Sequence, residues 1–194
     1  MSNIVIAQEN NSAISAGFFN DIFKLRHEIF LERLQWDIET HDGLERDNFD
    51  DLDPYHIAVQ NARGSVDGCW RALPTLGSYM LKDIFPELLQ GEVAPTESDV
   101  WEISRFAVRK GSASCQKGYM SGVTIQMVRS FYEFARKKNI KYYVTVTTVA
   151  CERMLRQLGV NCWRMGEGKT LQIGVERSVA LWIKVDESLN IHSH

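Results

Sequence analysis

The stretch that most constrains the fold lies between residues 119 and 159. "YMSGVTIQMVRSFYEFARKK" (119–138) is amphipathic at the helical period and reads as a helix. "IKYYVTVTTV" (140–149) follows with no linker and is rich in β-branched and aromatic residues, the composition of a strand. "CERMLRQLG" (151–159) returns to a short helix, stopped by Gly159. Strand-like runs stand on both sides. "YHIAVQN" (55–61) and "VDGCWRALPT" (66–75), separated by "ARGS", give a hairpin signal, and "VWEISRFAV" (100–108) follows a loop region containing "FPELLQG". "TLQIGVERS" and "VALWIKVD" read as closing strands. Nearer the start, "FFNDIFKLRHEIFLERL" (18–34) spaces Phe19, Ile22, Phe23, Leu25, Ile29, Phe30 and Leu34 as a helix does. The fold class expected is α/β (α+β), a sandwich in which helices flank one mixed, twisted β-sheet. At 194 residues, with no internal repeat or low-complexity linker, it is expected as a single domain 1–194. Helices and an acidic loop would occupy 1–54, and the sheet core 55–186.

Composition removes several function classes. The formal net charge of −3 lacks the basic bias of a nucleic-acid binder. No run of apolar residues is long enough to span a membrane, and the first residues lack the basic n-region of a signal peptide. Cys69, Cys115, Cys151 and Cys162 are scattered, with no CxxC pair. That pattern predicts reduced thiols in a cytoplasmic protein, and neither a disulfide framework nor a metal site.

One short stretch, "GLERDNFDDLDP" (43–54), concentrates Glu45, Asp47, Asp50, Asp51 and Asp53. A calcium loop fails in both registers: counting from Asp47, position 3 is Phe49 and position 6 is Leu52, and counting from Glu45, position 5 is Phe49. A solvated turn and a cation-binding pocket remain. Other charges stand in apolar surroundings. Arg26 and Phe30 are four apart on one helical face, Arg71 lies inside "GCWRALPT", and Glu102 and Arg105 lie inside "WEISRF". Positions three apart in a regular strand face opposite sides, so a bulge between Glu102 and Arg105 would bring them to one face. Buried charges need partners. Arg26, Arg71 and Arg105 are therefore expected to neutralise Glu45, Asp47, Asp50 and Glu102, in a structural ion-pair network or in a cleft.

The ordered set Arg26-x3-Phe30-x5-Trp36, Glu45-x-Asp47-x2-Asp50, Arg71, Phe85 and Glu102-x2-Arg105, with "YMLKDIFPELL" and "YVTVTTV", resembles the LuxI-type acyl-homoserine lactone synthases, the autoinducer synthases of bacterial quorum sensing. The resemblance runs from about residue 20 to about residue 180. It implies a fold related to the GCN5-type N-acyltransferases, with the N-terminal helices covering the substrate. The implied substrates are S-adenosylmethionine and an acyl chain on acyl carrier protein, and the implied products are an acyl-homoserine lactone and methylthioadenosine. No metal and no separate cofactor is implied, since S-adenosylmethionine is consumed. The catalytic candidates are Glu102 as general base, directly or through a water, with Arg105 orienting it, Asp47 and Arg71. Arg26, Phe30, Trp36, Glu45, Asp50 and Phe106 are the S-adenosylmethionine candidates, with Trp36 and Phe30 facing the sulfonium. Asp51 and Asp53 are expected as solvated loop.

Met80, Phe85, Thr145 and Thr147 are the acyl-chain candidates, a threonine hydroxyl being suited to a 3-oxo group on a medium or long chain, although threonine also simply favours strands. Residues 129–156 carry Arg129, Arg136, Lys137, Lys138, Lys141, Arg153 and Arg156 against Glu133 and Glu152, an excess of five positive charges. Lys138, Arg153 and Arg156 are the proposed dock for an acidic carrier protein. An acyl-coenzyme A-dependent acyltransferase is a rival, but "VRKGSASCQKGYMSG" lacks the glycine spacing of a pyrophosphate cradle. A non-catalytic binder is the other. Neither nucleic acid nor stable membrane association is expected.

Overall fold

A computed structural model describes residues 2–11, 13–38, 40–109 and 121–186. The chain forms two compact units, Met1–Ala72 with Arg105–Ser130, and Leu73–Ser104 with Phe131–His194. Three elements, β3 (Val66–Pro74), β4 (Val100–Val108) and α3 (Gly122–Lys138), carry the chain from one unit to the other.

In the first unit β1 (Asn3–Ala7) pairs antiparallel with β2 (Tyr55–Gln60), and β2 pairs antiparallel with β3. The hairpin between "YHIAVQN" and "VDGCWRALPT" is present, with an irregular register at Val59/Gln60. Helix α1 (Ala16–His27) buries Phe18, Phe19, Ile22, Phe23, Leu25 and Arg26, the spacing of a single apolar stripe. The helix expected over 18–34 is not one α-helix. From Glu28 to Arg33 it widens into a π-helix, and the backbone N–H of Trp36 then closes on the carbonyl of Phe30 at 2.9 Å. The core joins the α1 aromatics and Ile29 to Ala7, Ala58, Cys69 and Ala107. Alternation along β3 turns Cys69 and Arg71 to one face and Gly68 and Trp70 to the other, where the indole of Trp70 donates to Ser130 Oγ on α3 at 2.8 Å.

The second unit is a mixed sheet. The start of β4 pairs parallel with β5 (Tyr142–Thr148), and β5 pairs antiparallel with β8 (Glu176–Lys184). Two short strands, β6 (Cys162–Arg164) and β7 (Leu171–Ile173), also pair antiparallel with β8. Helix α3 reaches this unit at Phe131 and buries Phe134 edge-on against Trp101. Helix α4 (Val149–Gln157) starts where β5 stops, with Thr148 Oγ1 accepting the Cys151 N–H, and the chain turns beyond it at Gly159, whose φ is 77°. Two differences from expectation stand out. "TLQIGVERS" is broken into β7 and the start of β8 by Gly174 (φ 56°), and the "FPELLQG" region contains α2 (Met80–Asp83) and a 3-10 turn (Pro86–Leu89). Residues 119 and 120 of the expected helix, and most of "VRKGSASCQKGYMSG", lie outside the described residues.

Candidate active site

The acidic stretch folds inward within the first unit. Glu45 N–H donates to the Phe23 carbonyl at 3.1 Å, and Asp50 Oδ2 accepts the Asp47 N–H at 2.9 Å, so the loop curls over the last turns of α1. Arg26 meets Asp50 as a fork, Nη1 and Nη2 each donating at 2.9 Å, while its Nε donates to Glu45. From β3, Arg71 shares Asp50, at 2.8 Å, and adds Asp47, at 3.1 Å. Arg105 adds contacts at 2.7 Å to Asp47 and 3.1 Å to Glu45. Arg26, Arg71 and Arg105 thus interlock with Glu45, Asp47 and Asp50, equal numbers of opposite charge. Bidentate, charge-assisted contacts of this kind are what allow such groups to leave water.

Exposure separates the members. Arg26, Glu45, Asp50 and Arg71 are buried, whereas the Asp47 side chain keeps 19% and the Arg105 side chain 10% of its surface open. Asp47 and Arg105 form the accessible edge. Arg105 is held there by an unusual backbone: its φ is 55°, a left-handed conformation that side chains rarely adopt. The electrostatics follow the geometry. Burial acts to raise the Asp50 carboxyl, but Arg26 and Arg71 outweigh it and hold the carboxyl far below its usual range. Asp47 is lowered in the same way, Arg71 and Arg105 overcoming burial. Burial acts to lower Arg26, and Asp50 and Glu45 reverse that and raise it.

Phe30 and Trp36 stack with ring centroids 4.7 Å apart and planes 6° from parallel. Phe30 is buried, with the Arg105 guanidinium 5.7 Å from its ring centre, while Trp36 is half-buried. Of the two rings only Trp36 is open to a ligand. Phe106 is half-buried on β4. Asp51 is exposed and pairs with Arg46, as a solvated residue would. Asp53 differs: it takes a left-handed backbone, φ 52°, and accepts the Gln8 side-chain amide at 3.0 Å, which fastens the loop to the end of β1.

One residue of this centre carried no motif. His56 is buried between Phe19 and Phe23, edge-on at 5.7 Å to each, with Nε2 3.8 Å from Asp50 Oδ1. Burial, and then Arg26 and Arg71, push it down to about 3 against the pull of Asp50, so the ring is neutral.

The remaining candidates lie in the second unit. Glu102 is buried, and its two oxygens accept the backbone N–H groups of Met80 at 3.0 Å and Leu81 at 2.7 Å. It therefore anchors the first turn of α2. Met80 is buried and Phe85 half-buried. Thr145 is buried and Thr147 half-buried, on the β5 face that also carries Tyr143. Among the described residues the Thr145 hydroxyl donates to the carbonyl of Val146, at 3.3 Å, a long contact that leaves it open to a better acceptor. The basic candidates are unequal. Arg153 is exposed and Lys138 half-buried, but Arg156 is held by Glu152 at 3.1 Å, and Glu152 is also gripped by Arg164 at 2.7 Å. Cys69, Cys151 and Cys162 are free thiols, Cys115 lying outside the described residues. Among the described residues no group of three or more His, Cys, Asp or Glu could hold a metal ion.

The model of the autoinducer synthase family matches residues 10–191. The chain belongs to the autoinducer synthases. It is 42% identical over 167 residues to an acyl-homoserine-lactone synthase of Vibrio anguillarum, with 86% of each chain covered. The crystal structure of the acyl-homoserine-lactone synthase LasI superposes with a TM-score of 0.86 at 37% identity, covering 98% of this chain and 93% of the other. That of TofI, in a ternary complex with an inhibitor and MTA, gives 0.81 at 28% identity, covering 96% and 94%. The fold extends to a putative N-acetyltransferase from Lactobacillus plantarum, TM-score 0.61 at 12% identity, covering 95% and 99%. The synthase is therefore an acyltransferase that makes an acyl-homoserine lactone for quorum sensing, on an N-acyltransferase-like fold. Among the described residues no helix is long and apolar enough to cross a membrane.

Proposed function

We propose that the synthase acylates the amine of S-adenosylmethionine with a 3-oxo, medium or long acyl chain delivered by acyl carrier protein, in the cytoplasm. The observation that carries the S-adenosylmethionine half is the accessible Asp47–Arg105 edge of an otherwise buried charge cluster, with the half-open Trp36 ring in the same unit. S-adenosylmethionine offers an ammonium, a carboxylate and a sulfonium. Asp47 suits the first, Arg105 the second, and Trp36 the third through cation–π attraction of about 0.5–2 kcal/mol. MTA, present in the TofI complex, is what S-adenosylmethionine leaves after losing its aminobutyryl part. Arg26, Arg71, Glu45 and Asp50, being buried, act by holding that edge in place.

The chemistry takes two displacements. The substrate ammonium must first lose a proton to a general base, the role assigned to Glu102. The freed amine attacks the thioester carbonyl, a C–N bond forms, the C–S bond breaks, and the carrier leaves as a thiol. Backbone N–H groups following the Arg105 distortion are assigned to the developing oxyanion. The substrate carboxylate then attacks its own γ-carbon. A C–O bond closes the lactone, and the departing C–S pair neutralises the sulfonium as methylthioadenosine. Closure is intramolecular, so positioning supplies much of the rate.

The test is direct. Purified protein with S-adenosylmethionine and a 3-oxo-acyl carrier protein is expected to release methylthioadenosine and the matching lactone. Glu102→Gln and Arg105→Ala are expected to lower turnover by more than ~10²-fold. Wild-type turnover in both variants, with folding intact, removes this pair from the mechanism. Equal use of acyl-coenzyme A removes the carrier protein as the specific donor.

A further inference from the structure

The segment from Met80 to Leu89, which comprises α2 and the following 3-10 turn, is fastened at both ends. Its start is held by Glu102, as described above. Beyond its end, Gln90 makes a reciprocal pair with the backbone of Lys169: the side-chain amide donates to the Lys169 carbonyl at 2.6 Å and the side-chain oxygen accepts the Lys169 N–H at 2.8 Å. Two residues on, Glu92 accepts the Gly166 N–H and the Trp182 indole N–H, each at 2.6 Å. Backbone and shape fit this closure. Gln90 has φ 47° and Gly91 φ 89°, so the strap turns sharply at the latch. Gly166, with φ 54°, comes so near that a Cβ there would lie 2.2 Å from the Leu89 carbonyl oxygen. The loop that receives the strap is itself fixed, because Arg164 donates to the Gly168 carbonyl at 2.9 Å while gripping Glu152 on α4. Gln90, Glu92 and Gly166 belong neither to the charge cluster nor to the basic segment.

We propose that Gln90 and Glu92 are positioning residues that set acyl-chain selectivity by fixing the far end of the strap that carries Met80 and Phe85. This rests on the reading that Met80 and Phe85 line the acyl site. The strap has little apolar anchoring in its middle, where Ile84 is 52% exposed and Phe85 only half-buried. Leu81 at its start and Leu88 and Leu89 near its end are buried, so only this middle stretch is loosely held. With Glu102 intact and the far latch open, the buried leucines still seat the segment, but the hydrogen bonds that fix its far turn are gone and the Ile84–Phe85 stretch shifts. The space near Phe85 then changes more than the space near Met80. Selection among chain lengths changes, while the amine substrate, assigned to the other unit, is handled as before.

The experiment offers the full-length enzyme an equimolar mixture of six-, eight-, ten- and twelve-carbon 3-oxo-acyl carrier proteins and measures the lactones by mass spectrometry. Gln90→Ala and Glu92→Ala are expected to change the ratio of the longest to the shortest product by about 3- to 10-fold, with KM for S-adenosylmethionine within about twofold of wild type. Glu92→Gln, which keeps one acceptor, is expected to recover part of the change. Met80→Ala and Phe85→Leu serve as controls on the underlying reading. If they shift the ratio and Gln90→Ala and Glu92→Ala do not, the latch has no part in selectivity and the proposal is overturned. If Met80→Ala and Phe85→Leu leave the ratio unchanged, the acyl-site reading fails and the proposal falls with it. Lower thermal stability of Glu92→Ala at an unchanged ratio means a structural role only, and also overturns it. Should Glu92→Ala not fold, Gln90→Ala decides alone.

Discussion

At the scale of single residues, two side chains make opposite use of burial. Thr145 is buried with its hydroxyl on a long contact to Val146, so a 3-oxo group beside it would find a donor already dehydrated. One neutral hydrogen bond contributes about 0.5–1.5 kcal/mol, and an unpartnered buried carbonyl costs about 1–3 kcal/mol. Thr145→Val keeps the shape and removes the donor. It is expected to move kcat/KM from 3-oxo towards unsubstituted acyl substrates by roughly 5- to 30-fold, at 1.36 kcal/mol per tenfold. An unchanged product ratio would refute the role. His56 is buried without its proton. The folded ring titrates at about 3, lowered by burial, by Arg26 and Arg71, and by Arg46, against the pull of Asp50. The unfolded chain takes the proton near 6.5. Between those values only the unfolded state binds it, so stability falls as pH drops, by up to about 1.4 kcal/mol per pH unit from this group. The lowered Asp47 and Asp50 act below the ordinary carboxylate range, near 4, and leave the window above it to His56. His56→Gln should flatten the denaturation free energy between pH 4.5 and 6.5, and parallel profiles for the two proteins would count against this. His56 could not be read from the sequence. Alternation in "YHIAVQN" suggests a solvent-facing ring, but both faces of β2 are covered, as the burial of Ile57 and Ala58 shows. The charged residues were legible for the converse reason: an arginine or glutamate inside an apolar strand must find a partner.

At the scale of elements, legibility followed length and period. β4 was bounded as found, since nine residues of apolar and aromatic character leave little choice. β1 and β6 were missed, having five and three residues and depending on neighbours for their pairing. The π-helix was missed because its apolar residues keep α-like spacing and only the backbone widens. What sequence signalled least was how closely β3 approaches α3. A Cβ on Gly68 would lie 3.0 Å from Val123 Cγ1 and 3.1 Å from Met127 Cγ. Alanine at this position shrinks the unfolded ensemble, worth about 0.4–1 kcal/mol, but valine is stiff at χ1 and gives way poorly. Gly68→Ala is therefore expected to cost a net 1–3 kcal/mol or about that. Val123→Ala in the same chain should recover more than ~0.5 kcal/mol of it, a coupling read from denaturation midpoints in a double-mutant cycle. Strict additivity would mean that the close approach is not what makes glycine necessary.

At the scale of the molecule, charge is unevenly spent. The net charge is −3, yet residues 129–156 carry an excess of five positive charges. The structure divides that excess. All five of Arg136, Lys137, Lys141, Arg153 and Arg156 are exposed, but Arg156 pairs with the buried Glu152 and Lys141 with Asp99. A dock for an acidic carrier protein would draw first on Arg136, Lys137 and Arg153, so Arg136→Glu with Arg153→Glu is expected to raise KM for the carrier-borne substrate and leave KM for S-adenosylmethionine unchanged. The same KM at about 0.05 M and 0.3 M salt in the parent enzyme would exclude an electrostatic dock. Arg156→Glu should instead destabilise the fold, by placing a like charge beside Glu152. The order of the chain adds a consequence in time. The first unit is not contiguous: its closing segment begins at Arg105, with residues 73–104 given to the other unit. Arg105 lies 60 residues after Glu45, and Ser130 lies 60 after Trp70. During synthesis at about 5–20 residues per second, Glu45 waits roughly 3–12 seconds for the guanidinium that completes its contacts. Over that interval the N-terminal half emerges with its acidic loop under-neutralised and its aromatic core incompletely covered. The part of the chain that is made first is thus not a part that can close by itself.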